Sequence, residues 1–272
     1  MIKNQRPAQQ RPYALLWCLL LAMLTSSPVH AQHSAELTYL VSEVAAEPYQ
    51  IVTETGEQTG LVTEIMQALL LGTEVSWQVK GHPYRRVQRM LLEDTYPDWV
   101  SYGAQSWLKP EIWARVGVID QPLFRASYQL VTRAVDGLET PDALGQRRII
   151  VIHGYRYGGK FSQWIEAQKH TLVGAPSHTH ALAMLRMGRG DMYLAEDIRV
   201  QWEINRAGQG SDDLAIHDFS HMIAPIDIHI IYHRQLPQVL LQHMTQRLEA
   251  LEHSGELRSI RTRYGAAASL AP

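Results

Sequence analysis

The chain has 272 residues, and its 25 lysines and arginines nearly balance 27 aspartates and glutamates, which gives a formal charge of −2. This balance argues against nucleic acid or an anionic membrane as the partner, because both recruit a strongly basic surface. The single cysteine, Cys18, excludes a disulfide framework and any metal site built from several thiolates.

The first 31 residues have the pattern of a secretory signal peptide. Three basic residues precede an uninterrupted apolar run over residues 14–24, and a small-residue cleavage site ends at Ala31. The run is shorter than the ~18 apolar residues that a bilayer-spanning helix needs. Cleavage there would remove Cys18 and leave 22 basic against 27 acidic residues, a formal charge of −5. We therefore expect an exported chain of about 240 residues, long enough to fold by core burial without disulfides.

The first half of the remaining chain alternates strands with helices. Residues 37–42 predict a strand, and apolar side chains spaced by three and four predict an amphipathic helix over residues 61–71. A strand at residues 75–79, a helix at residues 85–92 and a strand at residues 99–102 follow. This compact β-α-β-α-β order predicts a parallel sheet.

The second half repeats this pattern after an extended segment at residues 127–135. A buried strand at residues 148–153 leads through a glycine-rich turn into a helix at residues 161–168. A short strand, a helix that ends at Gly188 and an apolar strand at residues 192–195 come next.

The chain then returns to its first half. A second extended segment covers residues 221–234, and residues 239–264 are helical apart from a break at Ser254-Gly255. Two α/β units that are joined by two extended segments predict two lobes with a hinged cleft between them.

Glu196 is the first candidate for a ligand contact. It ends the apolar strand at residues 192–195, and ligands of open α/β sheets bind outside the carboxyl ends of strands. The alternative is a solvated acid that opens the next helix, where it would favour the helix dipole. Local sequence leaves both interpretations open.

Five short motifs accompany these elements along the chain. In chain order they are Pro48-Tyr49 with Gly56 and Gly60, Trp107-Leu-Lys-Pro-Glu111, Leu144-Gly145, Leu185-x-x-Gly-Arg-Gly-Asp191 and Leu251-x-x-Ser254-Gly255. Through them most of the chain after residue 31 resembles the type II periplasmic solute-binding proteins of family 3, typified by polar amino acid receptors. The resemblance implies a two-lobed α/β fold with two hinge crossings and a ligand cleft. Residues 32–130 and 226–272 would form lobe 1, and residues 131–225 would form lobe 2.

The resemblance also implies which side chains touch the ligand. In the family an acid five residues after the signature aspartate binds the ligand ammonium, and counting from Asp191 gives Glu196. Aromatic positions of the family fall near Tyr49 and Tyr84. The full set of expected ligand-binding residues is Glu43, Tyr49, Tyr84, Arg85, Gln105, Trp107, Tyr155, Arg156 and Glu196.

One position departs from the family pattern. Where the family has the arginine that clamps the ligand carboxylate, this chain has Ile112. An arginine fork is the usual partner of a carboxylate, so the site is expected to be rebuilt. Arg85, Arg115 and Arg156 are the candidates to replace the missing arginine.

The resemblance predicts a periplasmic, monomeric solute-binding protein without a cofactor or enzymatic activity. It would capture a small polar, amine-bearing, amino-acid-like solute for an ABC importer in the membrane. The first alternative is a ligand-sensing receptor for a membrane signalling protein, and the second is a dehydratase-like enzyme on the same fold.

No metal site is expected. Of the paired histidines, His229 and His233 lie on one predicted strand four residues apart, which separates them by about 13 Å. That distance is too large for both to bind one zinc ion at bond lengths of about 2 Å.

Overall fold

The computed structural model describes residues 36–42, 46–137, 145–208 and 210–266, so the predicted signal peptide lies outside it. The first elements are β1 (Leu37–Ser42), β2 (Ile51–Val52), β3 (Gln58–Thr59), α1 (Leu61–Leu70), β4 (Trp77–His82), α2 (Tyr84–Glu93), β5 (Trp99–Gly103), α3 (Pro110–Trp113), β6 (Val116–Val118) and β7 (Phe124–Ala126).

The middle of the chain contains a second run of alternating elements. These are β8 (Tyr128–Arg133), β9 (Arg148–Ile152), α4 (Gly159–Ala167), β10 (Thr171–Ala175), α5 (His178–Arg186), β11 (Met192–Glu196), α6 (Asp197–Ala207) and β12 (Leu214–Asp218). The last elements are β13 (Ile226–His233), α7 (Gln238–Ser254) and α8 (Glu256–Arg263).

Two large sheets with the same strand plan define the two lobes. The first has the order β4-β1-β5-β13-β6, with β7 also paired to β13, and the second has the order β10-β9-β11-β8-β12. The three neighbouring strands β4, β1 and β5 are parallel, and so are β10, β9 and β11, as the β-α-β-α-β pattern predicts. The other pairings are antiparallel, because β8 and β13 enter their sheets directly from the opposite lobe.

The chain crosses between the lobes twice within the described residues. It passes from β7 to β8 at Ser127, and from β12 to β13 through residues 219–225. β8 already pairs with the second sheet from Tyr128 onwards. The lobe limits that the resemblance implies, at residues 130 and 225, stay a prediction.

The helix that was predicted at residues 61–71 is α1, and its apolar face is fully buried. Leu61, Val62, Ile65, Met66 and Leu69 have no exposed surface and pack in one core with residues of β1 and α7. Burial of each such side chain contributes about 1.5–3 kcal/mol. The period of three to four was therefore enough to predict this helix and its buried face.

The second sheet is buried on both faces. Ile149 and Val151 of β9 face a core that contains α4, whereas Ile150 and Ile152 face a core that contains α5. Strands that are covered on both faces lack a polar side, which explains why β9 and β11 read as continuous apolar runs. β12 is an edge strand that pairs only with β8, and it carries the polar residues His217 and Asp218. Its sequence therefore lacks the continuous apolar run that predicted β9 and β11.

Asp191 ties β11 to β9. Its Oδ2 accepts a hydrogen bond from the Arg148 backbone N–H at 2.8 Å, and Arg148 Nη2 donates to Oδ1 at 2.9 Å. Partial burial would raise the pKa of Asp191, but the hydrogen bonds from Arg148 outweigh it and hold the pKa below its usual value. The preceding Gly190 is also required, since a Cβ there would lie 2.4 Å from Ile150 Cγ1.

Asp191→Asn should lower the free energy of unfolding by about 1–3 kcal/mol, because hydrogen bonds to a charged acceptor are lost. A chain of this size loses about 2–4 °C in Tm per kcal/mol. Folding lowers the pKa of Asp191, so its stabilisation is present above about pH 4 and disappears as the pH falls. Calorimetry across this range should show the Tm difference from the parent shrinking on acidification, while exposed Asp212→Asn changes little. A pH-independent difference would contradict this role.

Candidate functional site

The carboxyl ends of the parallel strands surround the gap between the lobes. Ser42 ends β1 and Gly103 ends β5, while Tyr155 follows β9 and Arg199 lies shortly after β11, and all four line one cavity. This is the location at which open α/β sheets bind ligands.

This cavity brings four of the predicted ligand contacts together: Tyr84, Trp107, Tyr155 and Arg156. The Tyr84 hydroxyl donates to the Trp107 carbonyl at 2.7 Å, and the rings of Tyr84 and Tyr155 meet across the lobes at 5.3 Å. The space that remains is about 50 Å³, which holds a few water molecules. Ligand pockets usually measure about 300–1,000 Å³, so protein side chains largely fill this part of the cleft.

Glu196 ends β11 and is the N-cap residue of α6, and only 1% of it is exposed. The predicted strand-end position is therefore confirmed. The alternative is wrong about solvation, although Glu196 does open the next helix. Its Oε1 accepts a hydrogen bond from the Tyr128 hydroxyl at 3.3 Å. Its Oε2 lies 3.0 Å from Nε of Arg199, in a buried ion pair.

Arg199 connects this acid to lobe 1. Its guanidinium carbon lies 4.0 Å from the ring centroid of Tyr49, and its Nη1 donates to the Glu47 carbonyl at 2.7 Å. Tyr102 lines the small cavity together with Arg199, and the nearby guanidinium partly offsets the rise that burial causes in the pKa of Tyr102. Burial alone would lower the pKa of Arg199, but Tyr155 and Glu196 raise it above its usual value, so the side chain is a buried cation.

A second pair of the same kind follows one heptad later on α6. Arg206 Nη2 lies 3.3 Å from Oε2 of Glu203, and Arg206 Nη1 donates to the Glu47 carboxylate at 2.7 Å. Trp202 Nε1 donates to the same Glu47 oxygen at 3.3 Å. We call Glu196, Arg199, Glu203 and Arg206 the α6 ladder, because their spacing of three, four and three places them on one helix face.

The other predicted contacts lie outside the small cavity. Tyr49 is fully buried in the lobe 1 core, and exposed Arg85 lies at the rim beside Gly154. Gln105 lines a different, outward-facing cavity with Asp227. Glu43 lies outside the described residues.

The structure also locates the side chains around the missing carboxylate clamp. Ile112 is 2% exposed and belongs to a core cluster with Leu40 and Trp99. Arg115 is exposed and donates to the Leu92 carbonyl. The arginine that reaches deepest into the cleft is Arg199, which the sequence analysis did not consider.

A larger cavity of about 520 Å³ shares Ser42 with the small one. Lobe 1 contributes residues of the β1–β2 connection and lobe 2 contributes the start of α5; the polar lining residues are Ser42, Glu47, Gln50, Gln58, Ser177, His178, Thr179 and Glu203. Its volume falls within the range of small-molecule sites. Burial raises the pKa of Glu203, and Arg206 only partly offsets that effect.

His178 is the buried polar side chain of this cavity whose bonding is incomplete. Its Nδ1 lies 2.5 Å from the Tyr193 hydroxyl, whereas its Nε2 makes no hydrogen bond within the described part of the chain. Burial, and to a smaller extent Arg199, hold the pKa of His178 well below its usual value, so the ring is neutral. A buried polar atom without a partner costs about 1–3 kcal/mol, which a solute or a water molecule can recover.

Among the described residues, no group of three or more histidine, cysteine, aspartate or glutamate side chains could hold a metal ion. None of the helices in these ranges is long and apolar enough to cross a membrane.

Sequence reasoning missed three residues at the cleft: Glu47, His178 and Arg199. The heptad pattern Glu-x-x-Arg-x-x-x-Glu-x-x-Arg from Glu196 to Arg206 was visible and would have marked α6 as a charged helix face. Nothing local indicated that this face turns towards lobe 1, because that contact depends on how the lobes meet.

Comparison with known proteins supports the fold. No protein-family model and no curated protein matches the sequence. Solved structures match over 84–88% of this chain and 97–98% of their own lengths. They include a structure from work on glutathione import via GshT and the cystine ABC importer TcyBC of Streptococcus mutans (TM-score 0.69, 16% identity), an ancestral arginine-binding protein bound to arginine (0.66, 14%) and a histidine kinase sensor domain with similarity to periplasmic binding proteins (0.66, 15%).

These likenesses define the class of fold. The chain has the two-lobed α/β fold of the type II periplasmic binding proteins, as the sequence resemblance predicted. Identities of 14–16% carry no further than the fold.

Glu196→Gln should destabilise the protein by about 3–5 kcal/mol, because it leaves the Arg199 cation buried beside a neutral group. At about 2–4 °C per kcal/mol, the loss in Tm is easily measured by calorimetry. Glu111→Gln is the matched control, since the Glu111 side chain is 57% exposed and 3.9 Å from Lys109. Equal Tm values for the two variants would show that the Glu196–Arg199 pair does not matter for stability.

Proposed function

We propose that this chain is a binding protein that takes up a small polar solute between its two lobes. The observation that carries the proposal is the cavity of about 520 Å³, which both lobes line at the carboxyl ends of their strands. The neutral His178 ring in its wall favours a solute with hydrogen-bonding groups. The same fold holds arginine in the ancestral arginine-binding protein.

The class of solute is broader than the resemblance implied. An amine-bearing, amino-acid-like solute would need the Glu196 carboxylate as the partner of its ammonium group, and this carboxylate is paired with Arg199. We therefore propose a polar solute that is recognised through His178 and the amide and hydroxyl groups nearby, without an ammonium at Glu196. A dehydratase-like role is disfavoured for the same reason, because Arg199 rather than a substrate faces the acid.

The proposed setting is the periplasm, after removal of residues 1–31, where the chain acts as a monomer. Closure of the lobes would present a surface to the permease of an ABC importer. A sensory role is the second candidate, favoured by the likeness to a histidine kinase sensor domain. The contacts of Glu47 with Arg199 and Arg206 join the lobes directly, so a signalling partner could read their arrangement.

A thermal-shift screen against amino acids, polyamines and small carboxylates should identify a stabilising solute. A ligand at 100 times its dissociation constant adds about 2.7 kcal/mol to the stability. His178→Phe keeps an aromatic side chain and removes both nitrogens, so it should weaken binding about tenfold, the equivalent of one hydrogen bond. Titration calorimetry on this variant, with exposed His253→Phe as control, makes the comparison.

Two outcomes would contradict the binding proposal. If no solute of the three classes raises the Tm, the cleft does not act as a receptor for them. If a solute binds His178→Phe as tightly as the parent, the larger cavity is not its site.

Export should remove the predicted signal peptide. Mass spectrometry of the protein from a periplasmic extract should give a chain that starts near Gln32, because the charged, apolar and small-residue segments are in the order that signal peptidase requires. An Ala31→Leu variant should accumulate unprocessed, whereas Ala22→Leu in the apolar run should be processed normally. A parent that retains residues 1–31 would refute export by this route.

A further inference from the structure

Arg199 has the surroundings of a bound ligand cation. A carboxylate, an aromatic face and a backbone carbonyl converge on its guanidinium, from Glu196, Tyr49 and Glu47 respectively. Charge-assisted contacts and a ring face are the groups that bind an amine or guanidine most strongly. The side chain is 3% exposed, so these contacts are shielded from water.

The occupant of this cation site belongs to the protein. Arg199 lies three residues after Glu196 at the start of α6, which holds its guanidinium next to the carboxylate. Such a tethered group competes with a free amine for the Glu196 carboxylate at an effective concentration on the order of millimolar or above. A free amine would have to displace it and enter a space of about 50 Å³.

The second acid of the α6 ladder, Glu203, is also paired with an arginine of the ladder. Glu203 pairs with Arg206, and Arg206 also reaches Glu47 from the other lobe. The α6 ladder therefore supplies one arginine for each of its own acids. A cationic solute therefore finds Glu196 already paired, whereas Glu203 shares Arg206 with Glu47.

We infer that Arg199 is a specificity-determining residue: its guanidinium fills the cation subsite beside Glu196 and excludes amines and guanidines from that subsite. The inference rests on the proposed function, because it assumes that solutes enter this cleft. It deepens that function by assigning solutes that place no cationic group against Glu196.

Removal of Arg199 should therefore create a site for a small guanidine. Arg199→Ala deletes the atoms beyond Cβ, and N-ethylguanidinium replaces those atoms. In calorimetric titration the variant should bind N-ethylguanidinium at least tenfold more tightly than the parent does, and the compound should raise the Tm of the variant alone. Ethylammonium should bind the variant more weakly, because it lacks the planar fork of a guanidinium.

Two control variants locate the gained site. Arg199→Ala combined with Glu196→Gln should lose the gain, since the carboxylate partner is gone. Arg186→Ala removes an arginine from an ion pair of 2.7 Å with Asp213, whose side chain is 49% exposed. That hydrated carboxylate should gain no measurable affinity for N-ethylguanidinium.

Equal affinity of the parent and Arg199→Ala for N-ethylguanidinium would overturn the inference. So would a parent that binds a simple amine and loses it on Glu196→Gln. If Arg199→Ala does not fold alone, it is refolded with N-ethylguanidinium; recovery of the folded spectrum supports the inference and no recovery overturns it. The guanidinium readout needs no natural solute, so failure of the solute screen counts against the proposed function only.

Discussion

The arrangement of the cleft depends on one buried charge, the guanidinium of Arg199. A cation that is removed from water costs several kcal/mol unless opposite charge and oriented dipoles surround it. Here those groups come from both lobes: Glu196 from lobe 2, and the Glu47 carbonyl and the Tyr49 ring from lobe 1. The lobes cannot separate at this point without leaving the cation short of partners. Buried ion pairs add little net stability on average, but they restrict a structure to the arrangement in which both charges are satisfied.

The gap between the lobes contains two cavities of different chemistry. In the small one, which Arg199 lines, Tyr84, Tyr102 and Tyr155 fill most of the space, and burial raises the pKa of each hydroxyl so that it stays neutral. The larger cavity is lined by amides, hydroxyls, the neutral His178 ring and the side chains of Glu47 and Glu203. Four of the nine residues to which the family resemblance points, Tyr84, Trp107, Tyr155 and Arg156, line the small cavity. The larger cavity is lined by residues that belong to none of the sequence motifs.

Features that depend on local sequence could be predicted, whereas those that depend on how the lobes meet could not. The apolar spacing of α1 and the uninterrupted run of β11 predicted their burial, because these signals are local and depend only on period. The strand-end position of Glu196 was predictable for the same reason. Its partner Arg199 was not, since a spacing of three residues on a helix allows the pair but does not say whether it faces water or another lobe. Gln105 lines a separate cavity with Asp227, and its location relative to the small cavity depends on tertiary structure that local sequence does not encode.

The strand plan has a consequence for the order in which the lobes can form. Lobe 2 is built from five strands that follow one another along the chain, from β8 to β12, so its sheet needs nothing from later residues. The sheet of lobe 1 instead receives β13 in its interior, between β5 and β6, and among the described residues β13 is the last strand to be synthesised. Until then β5 and β6 present open edges, which are templates for pairing with other chains. The N-terminal lobe is thus the one that matures last, and the interval between β6 and β13 is the period in which the nascent chain is exposed to aggregation.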